Sequence, residues 1–594
     1  MVLTNKKDKV WIFSFEYAGI AKVGGLGEVP ANQAKYLKDD YDITIFIPSH
    51  GQIERLKTIY DLEKLSFSYK TSINLGQFGL IEKEFTCEIS FYKCNINSIN
   101  IILLSGGNSL TSKYLDDSTV YNPDTFSGKL LLFSLGMRFY IQFLIANDRS
   151  AIPRIIHMHD YHVVIPFIGI KQELIRIGLN IPSIITIHLL TWPRYNIDYY
   201  YACGIDTTPI KILLNEGTKS FSIQEIFNLC EESQKENNEY KPPTVEKIGA
   251  IISDLVTTVS ESYLFSDIIP NLGQKLIEFK SDFVWDGCDW DYRQIYNNVI
   301  EKLGKEICEI FNLTDDSEIT RIHMKDYLLT YKISHLSESP LIISKKVLEV
   351  INEISNGNPF IKNGNILAFD EVGPLIIATG RISRQKGFET IFEAIPEVIK
   401  IIPNVKFLLL ILPTEYSLKE IKAYAQFVKK YPRNLRIIFG VAAEIFQIAH
   451  IAADAYCALS RWEPFGIIAL EAMASKLPVI ATKVGGLQET IIDIRKDPKN
   501  GTGLLIEKDN PYQFSNALIS LIKIAEISNL GNDDEITLFT KDIPDLNVKD
   551  IVLSDNKFYT KIKENCYRRV NESFRWNKVT QKLIELYRKV ITLY

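Results

Sequence analysis

Four stretches of this chain repeat one pattern: a short apolar run, a turn bearing glycine, then residues at helical spacing. Residues 10–15 lead through Gly24, Gly25 and Gly27 into a helical run over 28–37. Residues 375–379 enter a turn at 380–387, residues 452–459 a turn ending at Gly466, and residues 479–481 a turn holding Gly485 and Gly486. An apolar run of four to eight residues between turn signals reads as a strand buried on both faces, which is the signature of a parallel sheet covered by helices. The chain is therefore expected to be α/β and doubly wound. In such sheets ligands bind where strand carboxyl ends and helix N-termini converge, so these turns are the first places to look for a site.

A chain of 594 residues with 46% hydrophobic content is too long for one core, and two large domains are the expectation. The net charge of −5 is spread among interspersed residues, which gives no argument for nucleic acid as a partner. The eight cysteines are scattered, with no C-x-x-C pair and no histidine at zinc spacing. They read as reduced thiols of a cytoplasmic protein, and no spacing calls for a metal or other cofactor. The polar N-terminus runs directly into a strand, without the apolar core of a signal peptide. No apolar run approaches the ~20 residues of a membrane span, so no membrane association is expected.

The turn after 452–459 reads Ser460, Arg461, Trp462, Glu463, Pro464, Phe465, Gly466, and helical spacing follows over 467–474. Pro464 suits a first helical position, and Gly466 allows close approach to the backbone. Glu471, about 8 Å further along the helix at 1.5 Å per residue, would with Glu463 hold two sets of hydroxyls on one elongated ligand. The plainer reading is a capping Glu463 and a solvated Glu471. Arg381 and Lys386, five apart at a strand end, offer forked donors and a point charge suited to a diphosphate; a solvated basic turn is the alternative. His159, Asp160, Tyr161 and His162 place three titratable groups within four residues at the end of the strand 154–158, a high density for a structural turn. Asp124, just before a helix expected from Gly128, reads equally as a substrate ligand or a helix cap.

Several of these segments resemble the glycogen and starch synthases. Lys22-Val23-Gly24-Gly25-Leu26-Gly27-Glu28-Val29 is similar to their K-V-G-G-L-G-D-V, with Glu28 for Asp. His159-Asp160-Tyr161-His162 is similar to H-D-W-H, the run from Gly380 to Gly387 to G-R-x-x-x-Q-K-G, and the turn at Gly485 and Gly486 to T-G-G-L. The spacing of Glu463 and Glu471 resembles the paired glutamates of retaining transferases. Departures are Leu189 after His188, where the family has Asn, and Asp286 where it has Asn in N-G-I-D.

The resemblance implies a GT-B fold, two Rossmann-like domains facing a central cleft. It implies an enzyme with a nucleotide-glucose donor (ADP- or UDP-glucose) and an α-1,4-glucan acceptor. By the same resemblance, Lys22, Gly24, Gly25, Arg381, Lys386, Gly485 and Gly486 lie against the diphosphate. His162, Asp160 and Asp124 position the sugar, Glu463 holds glucose hydroxyls beside Gly466, and Glu471 holds the ribose or steadies its helix. A trehalose- or sucrose-type transferase and a catalytically silent glucan-binding scaffold are the alternatives. The expected domains are 1–265, glucan-facing, with a helix in 565–594 crossing back to it, and 270–560, nucleotide-sugar-binding. A hinge is expected at 262–280, a polar lid-like excursion at 205–243, and insertions near 295–365 and 525–560.

Overall fold

The computed structural model describes residues 7–73, 85–231, 241–313, 318–342, 344–361, 366–530 and 533–593. The chain divides into two compact units, Met1–Asp286 with Trp576–Tyr594, and Gly287–Arg575. The changeover lies at Asp286, beyond the 262–280 stretch, which forms short helical turns of the first unit just before its strand Ser281–Phe283.

The strands, in chain order, are β1 (Asp8–Phe13), β2 (Tyr41–Pro48), β3 (Glu63–Ile73), β4 (Phe85–Ile96), β5 (Ile99–Gly106), β6 (Ile155–His159), β7 (Ser183–Ile187), β8 (Ile210–Leu214), β9 (Gly217–Phe221), β10 (Leu255–Thr258) and β11 (Ser281–Phe283) in the first unit. The second unit holds β12 (Leu375–Arg381), β13 (Lys406–Leu412), β14 (Leu435–Phe439), β15 (Ala455–Ala458), β16 (Val479–Thr482) and β17 (Gly503–Ile506).

In the first unit nine strands form one sheet in the order β11-β10-β7-β6-β1-β2-β5-β4-β3. It is parallel from β11 to β5, and the antiparallel β3–β4–β5 ribbon closes one edge. The central strands β6, β7 and β10 are buried throughout, which is why they read as unbroken apolar runs, whereas edge strand β3 alternates exposed and half-buried residues. Chain order reverses between β1 and β6, so the switch point where such sheets bind ligands lies between the loops that follow these two strands.

Three expectations need correcting here. The helix Phe126–Asn147 is, at 22 residues, long and apolar enough to cross a membrane by length and composition, against the reading that no run approached that length. Lys129 and Arg138 interrupt it, and its Leu130, Phe133, Met137 and Ile141 are buried in the core of this unit. Second, residues 205–243 are no polar excursion. The β8–β9 hairpin and the helix Ile223–Glu231 bury Ile210, Ile212, Ile226 and Phe227 in the same core; residues 232–240 lie outside the described residues. Third, the segment that returns to the first unit begins at Trp576, not at residue 565; its helix runs to Ile591 and buries Leu583, Ile584, Leu586, Tyr587 and Val590 beneath β1, β2 and β5.

The second unit is a six-stranded, fully parallel sheet in the order β14-β13-β12-β15-β16-β17. Here the switch point falls between β12 and β15. Helices Tyr292–Phe311, Arg321–Thr330 and Lys345–Ser355 precede β12. The acidic stretch after residue 529 is not wholly exposed: helices Asp533–Thr540 and Leu546–Ser554 bring Ile536, Val548 and Val552 inside and leave Leu538 and Leu546 outside.

Candidate active site

In the first unit the loop after β1 is folded around Glu16. This carboxylate is buried; it accepts the amides of Val23 (2.7 Å) and Gly24 (3.0 Å) on one oxygen and the Tyr121 hydroxyl (2.6 Å) on the other. Gly24 thus spends its N–H inside the protein, so that amide is not available to a diphosphate. Gly25 opens a 3₁₀ turn, Gly25–Gly27, that leads into the helix Glu28–Leu37. Lys22 is half exposed and pairs with Glu28 in that helix's first turn.

The loop after β6 carries Asp160, His162 and a backbone outlier. Asp160 is buried at φ +60°, and its Oδ1 accepts the His188 amide at 2.7 Å. Burial pushes its carboxyl up to about 8; the amides of His188 and Leu189 oppose this, and the nearby Glu246 and Glu16 carboxylates add to it. His162 is buried between Phe15 (5.2 Å between ring centres) and Tyr121 (5.1 Å), with its Nδ1 unpartnered. Burial holds the imidazoles of His157, His162 and His188 down at about 3 and that of His159 well below its usual range, so all four are neutral. His159 Nδ1 and His188 Nε2 share a proton at 2.9 Å.

Asp124 is exposed and does not cap the helix that follows: Thr125 is the N-cap residue and makes no side-chain cap bond. The loop is organised by Asp117, which accepts Thr119 N–H, Asn122 Nδ2 and Thr125 Oγ1, and by the fully buried Lys129, which donates to the carbonyls of Asp117, Thr119 and Val120. Sequence reasoning missed Glu16, Tyr121 and Lys129. The one available signal was that Glu16 directly follows a buried strand.

In the second unit the loops after β12 and β15, the two strands flanking the switch point, are laced together. Lys386 Nζ meets Glu463 Oε2 at 2.5 Å, and Ser460 Oγ donates to the same oxygen at 2.8 Å. Arg461 N–H donates to the Gln385 carbonyl (2.7 Å) and Gln385 Nε2 to the Trp462 carbonyl (3.0 Å). Glu463 is therefore a buried, paired carboxylate rather than a helix cap. The helix begins at Ile467 with Gly466 at its N-cap (φ +99°), so Pro464 lies in the turn and not at the first helical position. Arg381 ends β12 exposed, and its guanidinium makes no bond recorded among the described residues. Glu471 is half-buried in the helix Ile467–Ala474, near Tyr456 and Cys288.

Gly485 and Gly486 have a packing reason to be glycine beside the one expected. A Cβ on Gly485 would lie 2.0 Å from the Glu463 carbonyl oxygen, and one on Gly486 2.4 Å from Phe465 Cα. The Gly486 amide donates to the carbonyls of Glu463 and Pro464. These glycines let the turn after β16 press against the Glu463 loop, and the Gly486 N–H is not free for phosphate.

Comparison with known proteins bears on both units. The family described as starch synthase catalytic domain matches residues 9–276, and the family described as glycosyl transferases group 1 matches residues 361–530. The glycogen synthase of Mycoplasma mobile is 24% identical over 542 residues, covering 89% of this chain and 94% of that protein. That of Petrotoga mobilis is 22% identical over 587 residues, covering 98% of each. Among solved structures, the catalytic domain of starch synthase IV from Arabidopsis thaliana, bound to ADP and acarbose, superposes with a TM-score of 0.63 at 17% identity, covering 99% of this chain and 100% of that one.

Proposed function

Because this chain belongs to the glycogen and starch synthase family of glycosyltransferases and has its GT-B fold, we propose that it transfers glucose from ADP- or UDP-glucose to the non-reducing end of an α-1,4-glucan, with retention of configuration. The observation that carries the reading is the Lys386–Glu463–Ser460 cluster, with its carboxylate buried, at the switch point of the second sheet where Arg381 stands exposed. In this reading Arg381 and Lys386 face the diphosphate. The bond between the anomeric carbon and the diphosphate oxygen breaks, and the glucan 4-hydroxyl bonds to that carbon on the same face. Its proton passes to the departing phosphate oxygen. Two preorganised cations stabilise the charge that develops there, which is the largest contribution such a site can make. Glu463, held by Ser460 when Lys386 turns to the phosphate, accepts glucose hydroxyls, and Glu471, on the helix that follows this turn, holds the ribose.

The first unit is read as the glucan-binding one. On it Lys22 offers a cation, neutral His162 and the Asp160 carboxyl offer hydrogen bonds, and the exposed Asp124 does not cap the helix that follows. A cytoplasmic location agrees with eight free thiols, seven of them buried. The test is incubation of the purified chain with ADP-glucose or UDP-glucose, with and without glycogen, followed by NMR of the product. New α-1,4 linkages that require primer support the reading. A β linkage, or release of a small glucoside without glucan, refutes it.

A further inference from the structure

The loop between β7 and the helix Ile197–Ala202 carries a residue that the transfer chemistry does not use. Trp192 is 43% exposed, and its φ is +64°. For a bulky side chain that left-handed conformation is an outlier. Pro193 follows it, and a proline drives the residue before it toward extended backbone. Such strain persists only where the surroundings over-determine it, and it gathers at ligand clamps.

The surroundings here do over-determine it. The His188 amide donates to Asp160, the Leu190 amide to the Tyr263 hydroxyl at 3.0 Å, and the Thr191 and Trp192 amides both to Glu246 Oε1 at 2.9 Å. The Thr191 hydroxyl adds a third bond to that oxygen at 3.1 Å, and the Val245 amide donates to the Pro193 carbonyl at 2.9 Å. Glu246 is itself fully buried in the first turn of the helix Val245–Ile252. Drawing a carboxyl into the interior is unfavourable unless it is well bonded, and the bonds it makes here serve this one loop. The result is a stiff loop at the carboxyl end of β7, next to Asp160 at the end of β6, that holds one indole toward solvent.

We propose that Trp192 is a stacking platform for the acceptor glucan, with a pyranose ring lying on its exposed face. This rests on the glucan-synthase reading above and names one contact of its acceptor. A pyranose presents an apolar face of C–H groups, and a rigid aromatic offers matching area with little further entropy to lose. Among the described residues Trp192 is the only large apolar side chain exposed between Leu179 and Phe265. A single flat ring suits one sugar, whereas a protein partner would call for a contiguous patch.

The test uses Trp192→Gly in the full-length enzyme. Glycine is at ease at φ > 0, so this variant relieves the strain and melts no lower than the wild type. The KM for maltoheptaose or glycogen rises by about tenfold, the KM for the nucleotide-glucose stays within about twofold of the wild type, and Trp192→Phe restores most of the loss. In parallel, the indole fluorescence of the wild type shifts on titration with maltoheptaose alone, and the shift is lost in Trp192→Phe. An unchanged acceptor KM in Trp192→Gly overturns the platform. A raised donor KM in its place would make the indole a surface for the nucleotide base and also overturns it. If the wild type makes no glucan, the function reading fails by itself. The fluorescence titration still decides the platform, because a wild type that shows no shift refutes it.

Discussion

Removal of the last helix, residues 576–594, is expected to unfold the first unit rather than trim a loose end. Leu583, Ile584, Leu586, Tyr587 and Val590 are at most 5% exposed and belong to the core that also holds β1, β2 and β5. Burying five such side chains contributes roughly 8–15 kcal/mol at about 1.5–3 kcal/mol each. A denatured chain that already buries part of this surface lowers the figure by about 10–40%. What remains is comparable with the ~5–15 kcal/mol that holds a whole domain together. The polar contact is also internal, because the Tyr587 hydroxyl meets His157 Nδ1 at 2.8 Å where both residues are fully buried. Limited proteolysis with mass mapping is the assay. The truncated chain should be cut throughout residues 7–286 while 287–575 stays protected, and the melting transition of the first unit should disappear. In graded form, Leu583→Ala should cost about 2–5 kcal/mol and Tyr587→Phe about 1–3 kcal/mol for the orphaned imidazole nitrogen. A truncated chain that melts cooperatively at the wild-type temperature would refute the reasoning.

Arg381→Ala should lower kcat by about 10²–10³-fold with an unchanged melting temperature, since the guanidinium is exposed and bonds to nothing among the described residues; near-normal turnover would remove it from the diphosphate. Lys386→Ala should lose as much activity and also stability, because it strips the cation from the buried Glu463; differential scanning calorimetry separates the two variants. The melting temperature should fall as pH drops from about 6.5 toward 4. His50, His157, His162 and His188 have folded values of about 3 against 6.5 when unfolded. The unfolded chain therefore binds more protons across this window, and stability present above it is lost on acidification. The raised carboxyls of Asp160, Glu246 and Asp326 act in the opposite sense, whereas His159 and His450, also lowered by burial, add to the four imidazoles. A melting temperature flat from pH 7 to pH 4.5 would contradict this.

The strands that were legible in the sequence are those buried on both faces, where nothing but apolar residues fits; the alternation of β8 was hidden by its length of five residues. A candidate residue was legible where it stands out by its own position, as Arg381 does at the exposed end of β12. It was not legible where the partner comes from a distant segment. The meaning of Glu16 depends on Tyr121, 105 residues away, and that of Glu246 on the loop at Thr191 and Trp192. The glycines show why a motif alone was ambiguous. Gly466 and Gly387 are needed for positive φ, Gly485 and Gly486 for the close approach of two loops, and Gly24 has its amide already bonded. A sequence records that glycine is required without recording which of these physical reasons applies.

The two switch points also handle backbone strain differently. After β12 and β15 the positive-φ positions are the glycines Gly387 and Gly466, whereas after β6 and β7 they are Asp160 and Trp192, where strain of order 1–3 kcal/mol is retained. Glycine would be the easier residue at Asp160 unless the carboxyl itself is needed. Asp160→Gly relieves the φ of +60° but leaves the buried His188 amide without its acceptor at 2.7 Å, a loss of about 1–3 kcal/mol. The two effects are of similar size and opposite sign, so stability should change by less than about 2 kcal/mol. Activity should nevertheless collapse if the carboxyl positions the sugar, and Asp160→Asn, which keeps an acceptor for His188, should not restore it. Full turnover in the glycine variant would mean that Asp160 serves only to join the ends of β6 and β7.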